Sequence, residues 1–261
     1  MNNVNKTLYI SLYGKAYVSK KHIILHDKKA ELIWEKEGFE LKGKSKSKWL
    51  AYYMAMRSAF YDEWAEKEIR KNPEAIVLHI GCGLDSRIER ISAKCKCWFD
   101  IDFPEVIEER RKYFEVADGY QMLAADMRLD YWKDSVEAGK DAIVIMEGVS
   151  MYFEPEQLNC LLSNIGQHFD SVNILMDCYT EKSAKASKYK NPINDVGVTH
   201  VYGYDNPQKL ANRAGFAFKK EYDMTPKKYI NELEGIEKSV FKYLFAGKIA
   251  KSMYRIYEFH K

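Results

Sequence analysis

The chain has 261 residues, of which 46% are hydrophobic and 30% charged, with only 14 glycines and 6 prolines. This composition excludes disordered and collagen-like proteins, and the length predicts one large core with an accessory segment. The 41 basic and 38 acidic residues leave a net charge of +3, which falls short of the concentrated positive field typical of nucleic-acid-binding proteins, so we expect no nucleic-acid partner.

The cysteine and hydropathy patterns indicate a cytoplasmic protein. The five cysteines are odd in number and lack paired CxxC spacing, which favours reduced thiols. No apolar run approaches the ~20 residues of a membrane span, and lysines interrupt residues 1–21, so we expect neither export nor membrane insertion. No His, Asp or Glu cluster has metal-ligand spacing, so no metal site is predicted.

The first 74 residues carry no series of strand-like runs and are predicted to form a helical cover. Asp27 is placed to cap a helix over Lys28–Glu37. Residues 49–71 show an apolar stripe at helical spacing, which predicts a long amphipathic helix.

From Ala75 onward, short apolar runs alternate with helical segments. Helices are predicted from Pro104, over 154–168 and over 207–214. The predicted strands are 75–80, 97–102, 120–125, 142–146, 172–177, 216–222 and 253–259. This order indicates an α/β protein with a Rossmann-like, seven-stranded, mostly parallel sheet and helices on both faces. We expect the cover (1–74) and the core (75–261) to fold as one domain.

Glycines and a carboxylate mark a nucleoside-binding edge. The first strand runs into Gly81-Cys82-Gly83, and Asp102 ends the next strand about twenty residues later. Glycines let backbone amides approach a ligand, and the carboxylate can accept both ribose hydroxyls. The third small residue of the dinucleotide pattern and the P-loop are both missing, which favours a nucleoside without phosphates.

Two further acidic residues follow strands, Asp126 after the third and Glu147 after the fourth. The carboxyl ends of parallel strands share one edge, so these side chains are predicted to line the same crevice as Gly81 and Asp102. Ordinary helix capping is the alternative for each carboxylate.

Arg57 lies on the apolar stripe of the 49–71 helix. A guanidinium that faces inward needs a carboxylate, and a cofactor with an amino-acid tail would supply one. An internal ion pair, for which Asp85 is a candidate, is the other interpretation, and both can hold together.

Four segments together resemble the leucine carboxyl methyltransferase family, and its bacterial branch of tetracenomycin polyketide O-methyltransferases more than the eukaryotic phosphatase-methylating enzymes. They are VLHIGCGLDSR at 77–87, FDIDFPEVI at 99–107, ADMR at 125–128 and EGVSMYF at 147–153. The resemblance spans nearly the whole chain and implies a class I methyltransferase fold with S-adenosyl-L-methionine as cofactor. His79 and Ser150 depart from the family pattern without removing a cofactor contact.

Carried over by motif, the resemblance implies the following cofactor-binding residues. Arg57 would hold the methionyl carboxylate, with Lys15 as a further contact, and Glu147 would complete the methionine end. Asp102 would bind ribose. The remaining residues are Gly81 and Gly83, close to the cofactor, and Asp126 and Met127, beside adenine.

The methyl acceptor is left open by the sequence. The resemblance favours a small-molecule carboxylate, which is ionised at neutral pH and needs no general base, whereas a phenol would want one. In the 180–206 segment, His200, Tyr202 and Tyr204 are candidate acceptor contacts; a packed aromatic loop is the alternative. Competing functions are methylation of a protein C-terminal carboxylate, a nucleotide- or NAD-binding Rossmann protein without methyl transfer, and an inactive cofactor-binding relative. Oligomeric state is not predicted.

Overall fold

A computed structural model describes residues 7–39, 41, 43–187, 193–194, 198 and 200–261. Its centre is a seven-stranded sheet with the order β3-β2-β1-β4-β5-β7-β6. The strands are β1 (Ile76–Ile80), β2 (Cys97–Asp102), β3 (Tyr120–Ala124), β4 (Asp141–Met146), β5 (Ser171–Tyr179), β6 (Ala217–Asp223) and β7 (Tyr254–His260). Pairs among β1–β5 are parallel, and β7 runs antiparallel between β5 and β6. The predicted α/β fold is therefore confirmed.

Helices lie on both faces of this sheet. They are α1 (Leu8–Ser19), α2 (Lys28–Glu37), α3 (Lys48–Lys71), α4 (Arg87–Arg90), α5 (Pro104–Arg110), α6 (Pro155–His168), α7 (Glu181–Ala186), α8 (Pro207–Arg213), α9 (Lys227–Asn231), α10 (Gly235–Val240) and α11 (Lys248–Lys251). None of the helices that the structure describes is long and apolar enough to cross a membrane.

Burial explains why the strands could be found from apolar runs. Every residue of β1 is buried, as a strand covered on both faces requires. β5 continues to Tyr179, two residues beyond the prediction, because Tyr179 pairs with Tyr254 of β7. β6 is mostly exposed at the sheet edge, so its assignment rests on pairing with β7 rather than on a buried face.

The N-terminal helices pack on the sheet as predicted. Asp27 caps α2 by accepting a hydrogen bond from the Ala30 amide at 2.8 Å. Tyr61 and Trp64 of α3 share one buried cluster with Val77 of β1. The cover and the sheet thus have a common core, while a domain boundary near residue 74 stays a prediction.

Helices α9–α11 and a π-helical turn at Phe241–Phe245 lie between β6 and β7. The sequence analysis assigned no elements to this stretch. Tyr229, Ile230 and Phe241 pack against Tyr52 and Met56 of α3, so the insertion stabilises the helical cover from outside.

Candidate functional site

A cavity of about 590 Å³ opens at the carboxyl ends of the parallel strands. A pocket of this size suits a small-molecule ligand. Its lining includes all eight residues predicted to bind the cofactor: Lys15, Arg57, Gly81, Gly83, Asp102, Asp126, Met127 and Glu147. The structure therefore brings together what the resemblance assigned, whereas the role of each residue stays a prediction.

The turn after β1 requires glycine. Gly81 and Gly83 have φ values of +69° and +52°, in the left-handed region that glycine adopts without strain. A Cβ on Gly81 would also lie 2.7 Å from Cγ2 of Val149. Because Gly81 has no side chain, Val149 can pack against it, and the backbone of the turn stays accessible to a ligand at the floor of the cavity.

Asp102 lies beside this turn at the end of β2. Its Oδ2 accepts a hydrogen bond from the Gly83 amide and its Oδ1 accepts one from the Phe103 amide, both at 2.8 Å. Each oxygen keeps a further lone pair for a ligand hydroxyl. Burial raises the pKa of Asp102 to about 6, outweighing the two amide hydrogen bonds, which lower it.

Asp126 and Met127 line the cavity beyond the end of β3. Asp126 forms an ion pair with Arg128 at 2.5 Å and accepts a hydrogen bond from the Arg128 amide at 3.0 Å. Met127 is buried. Asp126 and Met127 therefore place an apolar side chain beside a carboxylate whose charge is balanced by Arg128.

Arg57 faces inward from α3 and is only 5% exposed. Its Nε donates to Glu147 Oε1 at 2.9 Å, and its Nη1 donates to the Tyr254 hydroxyl at 3.0 Å and lies 3.1 Å from Asp177 Oδ2. The internal ion pair therefore exists, but Asp85 as the partner of Arg57 is wrong. The true partners lie 90 and 120 positions away in sequence, beyond the reach of local patterns.

Asp85 belongs instead to a second group of buried charges. It pairs with Lys15 at 2.9 Å, with Arg90 at 2.9 Å and with Arg87 at 3.4 Å. Arg87 is fully buried and also contacts Glu147, which joins this group to the Arg57 pair. The sequence analysis did not assign Arg87 to the site, although it lies only four residues after Gly83 of the glycine turn.

His79 of β1 connects this group of charges to Asp100 on the neighbouring strand β2. Its Nδ1 lies 2.8 Å from Asp100 Oδ1, and its Nε2 lies 3.1 Å from Nη1 of Arg87. Because a guanidinium only donates, Nε2 must accept and Nδ1 must carry the proton. Both ring nitrogens of His79 are therefore engaged.

His200, Tyr202 and Tyr204 do not line the cavity. The hydroxyl of the buried Tyr204 donates to the Phe153 carbonyl at 2.6 Å, and the exposed ring of His200 packs edge-on against Tyr202. The packed-loop interpretation fits this arrangement better than acceptor contact. Residues 188–192, 195–197 and 199 of the predicted acceptor segment lie outside the described part of the chain.

The cavity is lined instead by four tyrosines that the sequence analysis missed: Tyr131, and the three tyrosines Tyr152, Tyr179 and Tyr254. The rings of Tyr179 and Tyr254 lie 4.1 Å apart, centroid to centroid. The available signal was the position of Tyr179, two residues after the end of a predicted strand. Tyr254 lies far away in sequence, on β7, and is beside Tyr179 only because β5 and β7 pair in the sheet.

The family model for leucine carboxyl methyltransferase matches residues 3–166. The tetracenomycin polyketide synthesis O-methyltransferase TcmP of Streptomyces glaucescens is 27% identical over 243 residues, which cover 92% of this chain and 90% of that protein. The S-adenosyl-L-methionine-dependent methyltransferase dpfgK of Gibberella zeae is 22% identical over 233 residues, covering 80% and 78%.

One solved structure supports the fold over most of the chain. Magnesium protoporphyrin IX methyltransferase of Synechocystis, with bound S-adenosylhomocysteine, has a TM-score of 0.50 at 12% identity, covering 90% of this chain and 95% of that one. The chain spans only 46% of LepI, solved in complex with SAM, at a TM-score of 0.46.

Proposed function

The chain belongs to the leucine carboxyl methyltransferase family, and from this premise we propose that it methylates a carboxylate of a small-molecule acceptor with S-adenosyl-L-methionine as the methyl donor. The observation that carries the proposal is the single cavity in which the glycine turn, Asp102, Arg57 and the three tyrosines meet. We also propose that the enzyme acts in the cytoplasm on small molecules rather than on nucleic acids; its five cysteines are free thiols.

The order of residues across the sheet supports a direction for the cofactor. Asp126 and Met127 follow β3, Asp102 ends β2, and Gly81 follows β1, which orders adenine, ribose and the methionine portion toward β4. Neighbouring strands lie about 4.8 Å apart. Adenine and the acceptor end are then separated by several strand spacings, and the acceptor would lie beside Tyr179 and Tyr254 on β5 and β7.

The methionine tail suits the paired charges at the centre of the cavity. This tail is a zwitterion. The Arg57–Glu147 pair presents one cationic and one anionic side chain to the cavity, and these side chains are 6% and 5% exposed. Arg57, with Lys15 nearby, would hold the carboxylate, while Glu147 would face the ammonium. A zwitterion adds no net charge to the buried pair, which limits the electrostatic cost of binding.

When bound, the cofactor supplies an electrophilic methyl group for in-line displacement. The protein then has to align the acceptor oxygen and exclude water. The buried Tyr254 hydroxyl and the walls formed by Met54 and Met151 would orient the acceptor at this end of the cavity.

Among the titratable residues that line the cavity, Tyr152, Glu147 and His79 are poorly suited to act as a general base, which favours an acceptor that is already ionised. Burial raises the pKa of Tyr152 to about 12. Burial alone would raise the pKa of Glu147, but Arg87 and Arg57 hold it at about 2. His79 has both ring nitrogens engaged. A carboxylate, with a pKa near ~4, needs none of these groups to lose a proton.

We expect S-adenosylhomocysteine to raise the melting temperature of the purified protein and NAD to leave it unchanged. Ligand at 100 times its Kd stabilises a folded protein by about 2.7 kcal/mol. Labelled methyl groups transferred to an acidic metabolite pool should be released by mild alkali, because esters hydrolyse and ethers do not. If NAD stabilises the protein and S-adenosylhomocysteine does not, the methyltransferase proposal is wrong. If the label resists alkali, the methyl acceptor is a hydroxyl group and not a carboxylate.

Tyr179→Ala is expected to raise the acceptor KM by about 10-fold or more and to leave the Kd of S-adenosylhomocysteine within about threefold. The reason is the loss of one aromatic wall, worth about 1.5–3 kcal/mol. His200→Ala is the matched control, since its side chain lies outside the cavity. Steady-state kinetics in which only His200→Ala raises the KM would instead place the acceptor beneath the 180–206 segment.

A further inference from the structure

Arg110, the last residue of α5, is fully buried behind the glycine turn and does not line the cavity. Its Nη1 donates a hydrogen bond to the Gly83 carbonyl at 3.0 Å, and its Nη2 is paired with Asp100. One guanidinium thus joins the turn to the middle of β2. The planar fork of arginine can make both contacts at once, which a lysine ammonium does less well.

Asp100 holds this guanidinium in one orientation. The carboxylate is fully buried and accepts hydrogen bonds from the Tyr120 hydroxyl at 2.7 Å and from Trp98 Nε1 at 2.9 Å, besides its contact with His79. A buried ion pair is a weak source of net stability, because packed apolar side chains often stabilise a core as well. Stability alone therefore does not explain the buried Asp100–Arg110 pair.

The contacts close into a ring around Gly83. Asp100 and Asp102 lie two residues apart on β2, so their side chains leave the strand on the same face. Asp102 accepts a hydrogen bond from the Gly83 amide at 2.8 Å, and Asp100 is paired with Arg110, which donates to the Gly83 carbonyl. Both peptide groups that flank Gly83 are therefore held. Asp102 holds the one that contains the Gly83 amide, and Asp100 holds, through Arg110, the one that contains the Gly83 carbonyl.

We propose that Arg110 is a positioning residue for the cofactor ribose: by holding the Gly83 carbonyl, it fixes the backbone conformation of Gly83, and the amide of the same residue orients Asp102. The inference rests on the proposed function, in which Asp102 binds the ribose hydroxyls. Arg110 touches neither the cofactor nor the acceptor and acts through Gly83 and Asp102 alone.

The test compares binding of S-adenosylhomocysteine with binding of its 2′-deoxy analogue by calorimetry. The wild-type chain should bind the parent compound about 10-fold more tightly or better, as expected for a hydrogen bond to a charged group. In Arg110→Lys, the overall affinity should fall and the preference should shrink below about threefold, because Asp102 is no longer fixed. Asp100→Asn removes the charge that orients Arg110 and should reduce the preference in the same way.

Tyr120→Phe is the matched control, because it removes a hydroxyl that donates to Asp100 and accepts hydrogen bonds from Nε and Nη2 of Arg110 at 3.3 Å, while it leaves the contact between Arg110 and Gly83 in place. We expect it to lower the melting temperature and keep the ribose preference. Arg110→Lys and Asp100→Asn variants that bind weakly but keep the full preference would overturn the positioning role. A wild-type chain that binds S-adenosylhomocysteine without preference would overturn the inference alone, whereas a wild-type chain that does not bind it would overturn the proposed function as well.

Discussion

Arg57→Met is expected to reduce methyl transfer by about 100-fold or more and to lower the free energy of unfolding. The substitution removes the guanidinium proposed to hold the cofactor carboxylate. It also leaves Glu147 and Asp177 buried beside each other without their shared cation. Breaking a buried ion pair from one side costs about 3–5 kcal/mol, and each ~1.4 kcal/mol is a factor of ten in affinity. Titration with S-adenosylhomocysteine and chemical denaturation would measure the two effects.

Arg90→Met separates cofactor binding from stability. Arg90 is a similarly buried arginine, paired with Asp27 at 2.6 Å, Asp62 at 2.7 Å and the cavity-lining Asp85 at 2.9 Å, but Arg90 itself does not line the cavity. It should lose comparable stability while keeping its affinity for S-adenosylhomocysteine within a few-fold. Arg57→Lys, which keeps the charge, should recover part of the binding. Equal loss of affinity in Arg57→Met and Arg90→Met would mean that Arg57 acts only through the fold.

Asp102→Asn is expected to weaken binding of S-adenosylhomocysteine by about 10–100-fold, because the ribose hydroxyls would lose a charged acceptor. The wild-type affinity should also fall as the pH decreases through about 6. Burial raises the pKa of Asp102 to about 6, and the ionised form is the one that can accept both hydroxyls. Protonation therefore competes with binding below that pH.

The same substitution is the control for this pH dependence. Asp177 also has its pKa raised to about 6, mainly by burial, so two carboxylates near the methionine and ribose ends can titrate together. The part of the pH profile that disappears in Asp102→Asn belongs to Asp102. A profile that is unchanged in Asp102→Asn would assign the whole dependence to another group and contradict the ribose role.

Most of the strands and the long helices were predictable because they bury a local apolar pattern, the exception being β6 at the sheet edge. β1 and β4 lie in the interior, so their runs are apolar except for His79 in β1 and Asp141 at the start of β4. The stripe on α3 likewise showed that Arg57 faces inward. By contrast, α9, α10 and α11 have only four to six residues each, too few for a stable isolated helix. Tertiary packing of Tyr229, Ile230 and Phe241 against α3 holds this stretch in place, and no local sequence period predicts it.

The sequence by itself determined which ends of the strands carry polar groups, since a parallel sheet puts the glycine turn, Asp102 and Glu147 on one edge in any packing of its helices. Only the tertiary structure decided which charges meet. The ion-pair partners of Arg57 and the pairing of Tyr179 with Tyr254 join parts of the chain about 75 to 120 residues apart. Electrostatic and aromatic contacts depend on distances of a few ångströms, which sheet order and helix packing set and which local sequence patterns do not contain.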